Sequence, residues 1–352
     1  MPSHVPKDET VLVTGATGFV GSHTVKLLLE EGYKVKAAVR DVTNEKKNQP
    51  LRRLDGSTGR VEFVKGDLLD KSVWKDAVQG CTYVLHVASP FPMKQPDDPQ
   101  ELIRPAVEGS RNVLEAALAE EAVKRVVVVS SVAAVGTMFV DFPKTNFDET
   151  DWQPTDLSIP GNTPYVVSKS LAEQEVWKIA EESQKSGRNL EVATICPAFI
   201  LGPALPLSTD FSSAEIVRQV LLGNLLFTPG RCLPISDVRD VADSLLRAMT
   251  RPQAANRRYI VAKRDTVAVT DIYRALAEQL NWQGYAIPTD FSTNIQLQAH
   301  RTYSDKRRKE ELGMHTLIDS MDSAISMAYS LIENGMVEKT PNYQGVPAKY
   351  RP

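Results

Sequence analysis

Three glycines spaced three apart, Gly15, Gly18 and Gly21, close a short apolar run and open a helical pattern, and this junction constrains the fold more than any other feature. Residues 11–40 read VLVTGATGFVGSHTVKLLLEEGYKVKAAVR. Val11-Leu12-Val13 has the length of a buried strand; Val20, Val25 and Leu27 to Leu29 then follow at helical spacing, Gly32 stops the helix, and a second apolar run ends at Val39. Strand, glycine turn, helix, strand is the βαβ context in which such glycines hold a dinucleotide. Gly15 allows the tight turn, Gly18 the close approach of backbone to a pyrophosphate, and Gly21 the packing of helix on strand. The helix start adds free N–H groups and the positive end of its dipole. Thr17, Phe19 and Val20 are predicted contacts of the same loop. A purely structural tight turn is the competing reading.

The second strand bears on which dinucleotide binds. NAD sites usually carry an Asp or Glu about twenty residues past the glycines, accepting from the ribose 2′-OH. Here the strand closes Val39-Arg40-Asp41. A guanidinium fork suits a 2′-phosphate, and Lys47, in a helical segment just beyond, offers a second cation. NADP(H) is therefore the expected cofactor. Asp41 keeps NAD open, unless it caps a helix; Lys47 has the alternative of being a solvated surface lysine.

At 352 residues the chain has room for one large domain or two fused ones. Its net charge of −3 points to neither nucleic acid nor an anionic membrane. Three cysteines without metal-type spacing suit free thiols in a reducing compartment, and no metal site is expected. No apolar run reaches the roughly 18 residues of a membrane span, and the first ten residues lack a signal-peptide core, so a cytoplasmic location is the default expectation.

Strand and helix alternate up to about residue 197, which predicts an α/β fold: a Rossmann-type doubly wound parallel sheet. We expect a nucleotide-binding domain over 9–197, with elements near 235–262 returning to it. A smaller, mostly helical C-terminal substrate-binding lobe is expected over 198–234 and 263–335, and a tail over 336–352. Asp67, after the third strand, can accept from an adenine amino group or cap the following helix over 71–78. The fourth strand runs into Val87, Ala88 and Ser89, small residues where open sheets bind ligands. His86 reads as a packed or hydrogen-bonded histidine. A long helix runs to about residue 122, with Pro105 kinking it or marking its start. The helix over 320–332 packs within the chain or against a second copy, so a homodimer is left open.

The chemistry rests on Tyr165-Val166-Val167-Ser168-Lys169. Residues four apart share a helix face, so Tyr165 and Lys169 project together. A free phenol has a pKa near 10, and an ammonium within about 4–6 Å lowers it. Ser131, delivered by the β-branched strand over 125–129, bridges phenol and substrate. Tyr165 then protonates a carbonyl oxygen as the nicotinamide gives hydride to its carbon. Two unrelated surface residues four apart are the bland alternative.

VLVTGATGFVGSH, KAAVRD, GDL, LHVASPF, VVVVSSVAAVG, DETDW, YVVSKSLAEQEVW, ICPAFILGP and SDVRDVADS together cover nearly the whole chain. In these segments it resembles an extended short-chain dehydrogenase/reductase, in the group of dihydroflavonol 4-reductases, cinnamoyl-CoA reductases, anthocyanidin reductases and fungal methylglyoxal reductases. The resemblance implies catalytic roles for Ser131, Tyr165 and Lys169, and 2′-phosphate roles for Arg40 and Lys47. It further implies an adenine site at Asp67 and Leu68, and cofactor contacts at Val87, Ala88, Ser89, Tyr165, Lys169 (on the ribose hydroxyls), Pro197, Ala198, Phe199, Ile200 and Ser212. Ser89, Ser131, Gly136 and Tyr165 are the implied substrate contacts. Gly136 stands where dihydroflavonol reductases carry Asn, residues 162–165 lack the longer pattern of cinnamoyl-CoA reductases, and Glu108 stands where many extended members have Asn. A small-molecule carbonyl substrate, aldehyde or ketone, therefore fits better than a flavonoid or a thioester. A sugar-nucleotide epimerase, a dehydratase, a hydroxysteroid-type dehydrogenase and a non-catalytic NADP sensor are the rivals. Val132-Ala133 after Ser131 replaces the Asp-Glu pair usual in dehydratases.

Overall fold

A computed structural model describes residues 7–54, 56–91, 96–137, 140–205, 212–224, 230–291 and 300–351. Among these residues seven strands form the central sheet: β1 (Thr10–Thr14), β2 (Lys34–Val39), β3 (Val61–Lys65), β4 (Tyr83–His86), β5 (Arg125–Val129), β6 (Glu191–Pro197) and β7 (Arg257–Val261). Their order is β7-β6-β5-β4-β1-β2-β3, every pairing parallel. The order reverses between β1 and β4, where the carboxyl ends part and leave a crevice for ligand.

The helices are α1 (Phe19–Glu30), α2 (Glu45–Arg52), α3 (Trp74–Val78), α4 (Gln100–Ala119), α5 (Pro164–Lys185), α6 (Ser212–Leu221), α7 (Val238–Thr250), α8 (Val269–Leu280), α9 (Lys306–Leu312) and α10 (Ser320–Glu333). Strand alternation decides which face each helix covers. Val11, Val13, Leu85, Val127 and Ile195 meet Leu28 and Leu29 of α1 and Val241 and Leu245 of α7. Leu12, Val84, Val126, Val128 and Val192 meet Trp74, Val113, Leu114, Val176 and Ile179 of α3, α4 and α5. Each such side chain, wholly buried, contributes roughly 1.5–3 kcal/mol.

A second core joins α6, α8 and α10, with Val217, Leu221, Tyr273, Leu276, Ala324, Ala328 and Leu331 buried together. Phe19, the first residue of α1, belongs to this core, and His23 Nε2–H donates to Pro203 O at 2.8 Å. The lobe thus sits directly on the helix that follows the glycine loop. α10 is buried within the chain over most of its length. The last segment is anchored at two points: Val337 and Tyr350 are buried, and Tyr350 stacks on Tyr329 with ring centroids 5.8 Å apart.

Local signals shift some boundaries. α4 starts at Gln100 and continues through Pro105, which neither begins nor ends it. Asp70, not Asp67, caps the turn at Lys71–Val73, accepting from Ser72 N. Asn44, not Asp41, caps α2 by accepting from Lys47 N. Among the described residues no helix is long and apolar enough to cross a membrane.

Candidate active site

The glycine loop is built as its spacing requires. Gly15 takes φ +64°, open to glycine at little cost, and a Cβ there would lie 3.0 Å from Ala88 Cα. Gly18 N–H donates to Gly15 O at 2.9 Å and Gly18 forms the N-cap of α1 without a side-chain hydrogen bond. The first turn of α1 holds no acidic residue, so nothing negative competes with a phosphate there. Thr17 and Val20 border the loop half-buried, while Phe19 turns into the lobe core.

What fixes this loop against the neighbouring strand is Thr14, a residue that sequence reading passed over. Its Oγ1 accepts from Val87 N and Ala88 N, each at 3.0 Å, and lies 2.9 Å from His86 Nδ1. With its oxygen accepting twice, the Thr14 hydroxyl proton points to Nδ1, which fixes His86 as the Nε2–H tautomer. Burial pulls the His86 pKa down to about 3, helped by the nearby Lys169 charge, so the ring is neutral and structural. Only the register of β1 on β4 makes this junction, Thr14 opposite His86, and no local motif announces it.

Arg40 follows β2 at the crevice edge, exposed, with no hydrogen bond or ion pair to another described residue. Lys47 is exposed on α2. The Asp41 carboxylate is taken by its own turn: Oδ1 accepts from Thr43 N at 2.9 Å and Thr43 Oγ1 at 2.6 Å, which holds its pKa below the usual carboxylate range. A guanidinium left free beside a carboxylate already engaged is the donor set a 2′-phosphate needs.

Asp67 accepts from Leu69 N at 3.0 Å, and Asn112 of α4 donates to Leu68 O at 2.8 Å. Pro197 ends β6; Ala198 N donates to Ser236 Oγ at 2.8 Å, and residues 199–201 pair in parallel with 235–237. Ser89 is half-buried past β4. Ser212 begins α6, its side chain outside the described residues, as are residues 92–95, 138–139 and 206–211.

Gly136 N–H donates to Val132 O at 2.9 Å, just past the turn that Ser131 caps. It is buried, and a Cβ there would lie 2.3 Å from Phe147 Cε1, so the ring of Phe147 fills the direction a side chain would take. Tyr303 OH donates to Gly136 O at 3.0 Å from behind. Another aromatic comes forward instead: Phe91, exposed, meets the Tyr165 ring edge-on with centroids 4.7 Å apart.

The three polar residues at the centre come together. Ser131 is buried at the end of β5 and caps the turn Val132–Ala134, its Oγ accepting from Ala133 N at 3.1 Å. Thr163 caps α5 and Pro164 opens it, the order that starts a helix sharply. Tyr165 and Lys169 then share a face, Lys169 buried with Nζ 5.8 Å from the phenol ring centroid. Burial pushes the Tyr165 pKa up to about 12, against a hydrogen bond from Ser131 that lowers it. The reverse holds for Lys169, pulled down to about 8 by burial, with Cys196 and the Glu173 carboxylate opposing. The expected acidic phenol is absent from the protein alone. At neutral pH Tyr165 holds its proton, which is the form a donor requires.

The family model described as NAD dependent epimerase/dehydratase family matches residues 11–262. Tetraketide alpha-pyrone reductase 1 of Arabidopsis thaliana is 40% identical over 92% of this chain and 96% of its own. A cinnamoyl-CoA reductase of Medicago truncatula is 37% identical over 76% of this chain and 80% of its own. Among solved structures, the yeast methylglyoxal/isovaleraldehyde reductase complexed with NADPH superposes with TM-score 0.79 at 27% identity, covering 93% of this chain and 100% of that one.

Proposed function

The chain belongs to the NAD dependent epimerase/dehydratase family, the extended short-chain dehydrogenases/reductases, and from that premise we propose that it uses NADPH to reduce an aldehyde or ketone to the alcohol. One observation carries the reading: the Tyr165 phenol, hydrogen-bonded to Ser131 past the carboxyl end of β5, is followed one turn later on the same helix face by the buried Lys169. Reductase relatives and the NADPH in the yeast structure support the direction and the cofactor.

NADPH, when bound, supplies the hydride. The residues of the chain do the rest. Ser131 Oγ, fixed by Ala133 N–H, orients the carbonyl oxygen toward the phenol. Tyr165 gives that oxygen its proton, and the Lys169 ammonium offsets the negative charge left on the ring. The exposed Phe91 ring flanks the apolar substituent of the substrate. Gly15, Gly18 and the α1 start hold the pyrophosphate, and Arg40 with Lys47 the 2′-phosphate.

The test is NADPH oxidation across a panel of small aldehydes and ketones, followed at the nicotinamide absorbance. Stoichiometric NADPH loss with alcohol formation is expected; binding without turnover across the panel sinks the reading in favour of a sensor. An epimerase would instead return its cofactor unchanged. Arg40→Ala probes the cofactor assignment. A charge-assisted fork is worth about 1.5–3 kcal/mol, so NADPH affinity should fall about 10–100-fold while NADH affinity stays level. Equal losses for both cofactors would remove Arg40 from the phosphate site.

A further inference from the structure

Behind the three central residues lies an ion pair that their chemistry does not use directly. Glu173 follows Lys169 by one turn of α5, and Arg258 sits on β7; both are buried. Glu173 Oε1 accepts from Arg258 Nε at 2.8 Å and Oε2 from Arg258 Nη2 at 3.0 Å, a bidentate pair. The same carboxylate accepts from Ser130 Oγ at 2.6 Å and Thr194 Oγ1 at 2.7 Å, and from Trp177 Nε1 at 3.3 Å. Arg258 spends its other donors on the chain around Ser131. Nη2 donates to Ala134 O at 3.0 Å, within the turn that Ser131 caps, and Nη1 to Asp151 O. Its guanidinium carbon lies 3.9 Å from the centre of the Trp152 ring.

A buried ion pair is seldom the most stable filling for a core, since apolar residues of equal volume commonly do as well or better. The geometry here ties together α5, which bears Tyr165 and Lys169, the end of β5 at Ser130, and the turn that presents Ser131. We propose that the Glu173–Arg258 pair is a positioning device that fixes the Ser131 turn against the Tyr165–Lys169 face of α5 and keeps negative charge beneath Lys169. The inference rests on the reductase reading above and deepens it.

Two effects are separable. Lys169 is faced by Tyr165 and Glu173 of α5, His86 of β4, Cys196 of β6 and, beyond the carboxylate, Arg258 of β7. His86 is neutral, so Glu173 supplies the negative charge that favours the ammonium. In Glu173→Gln that charge is gone and Arg258 is left uncompensated. Both changes favour neutral Lys169, so it loses its proton at lower pH and the alkaline limb of the kcat profile moves to lower pH. Arg258→Lys keeps a charge but loses the fork that reaches Ala134 O and Asp151 O, so kcat falls while the limb stays.

The experiment measures kcat, KM and the pH profile for both variants on a carbonyl the wild type reduces, with NADPH titration counting competent sites. Expected is a drop in kcat of about 100-fold in Glu173→Gln, with NADPH affinity near wild type, because small misplacement of reacting groups costs about that much. Unchanged kcat in both variants overturns the inference and leaves the reductase reading standing. So does a loss of kcat that only follows the loss of NADPH-competent sites, which marks a purely structural pair. A wild-type chain that reduces nothing overturns both readings together.

Discussion

Tyr165→Phe is expected to lower kcat for carbonyl reduction by about 1,000-fold while leaving NADPH affinity within a factor of about three. General acid catalysis by a positioned side chain is worth about 100- to 10,000-fold, and the phenol is a proton donor that lies beside both Ser131 and Lys169. The substitution removes one oxygen from a half-buried ring and leaves the Phe91 contact in place, so the fold has little reason to respond. The cofactor loop, meanwhile, is built from other residues altogether. Single-turnover NADPH oxidation and a parallel binding titration check the two halves. Retained turnover would take Tyr165 out of the reaction; lost binding would make it a cofactor residue first.

Gly21→Ala is the second large effect, and it acts from the opposite side. An alanine Cβ would lie 2.0 Å from Gly15 O, 2.8 Å from Gly15 C and 2.9 Å from Ala16 Cα. The first distance is about 1.5 Å short of van der Waals contact, and both partners are backbone, so no rotamer relieves it. α1 must retreat, pulling Val25, Leu28 and Leu29 from the core beneath it. Overpacking of this kind costs about 1–3 kcal/mol or more. Tm should fall by about 5 °C or more and NADPH affinity by about 100-fold, since each 1.4 kcal/mol is roughly tenfold. Calorimetry and a binding titration decide it. A variant with wild-type Tm would mean that the loop yields to the helix and the contact at Gly21 is not what joins them.

These two residues were also the easiest to read from sequence, for a shared reason. Glycines at 15, 18 and 21 and a Tyr and Lys four apart report structure through short-range spacing, and so do the strands that alternate with the helices. What sequence left dark lies across the sheet. Thr14 reaches Val87 and His86 only once β1 and β4 are in register, and Glu173 meets Arg258 across 85 residues. Polar residues at such positions look like any other Thr, Glu or Arg in a list of letters. At Gly136 only the fold tells which ring fills the space beside it, and here Phe147 does. Asp41 and Asp67 show a third limit, because a capping residue and its near neighbours are chemically alike; Asn44 and Asp70 took the caps.

The seam at the start of α1 has a mechanical consequence. Phe19 is shared with the core of the lobe, and His23 meets Pro203 across the same line. Prising sheet and lobe apart would wet that aromatic side chain, at about 1.5–3 kcal/mol for the ring alone, and would strip the imidazole of its companion. A jaw that swings wide is therefore a costly way to exchange product for substrate. The seam acts as a weld rather than a hinge.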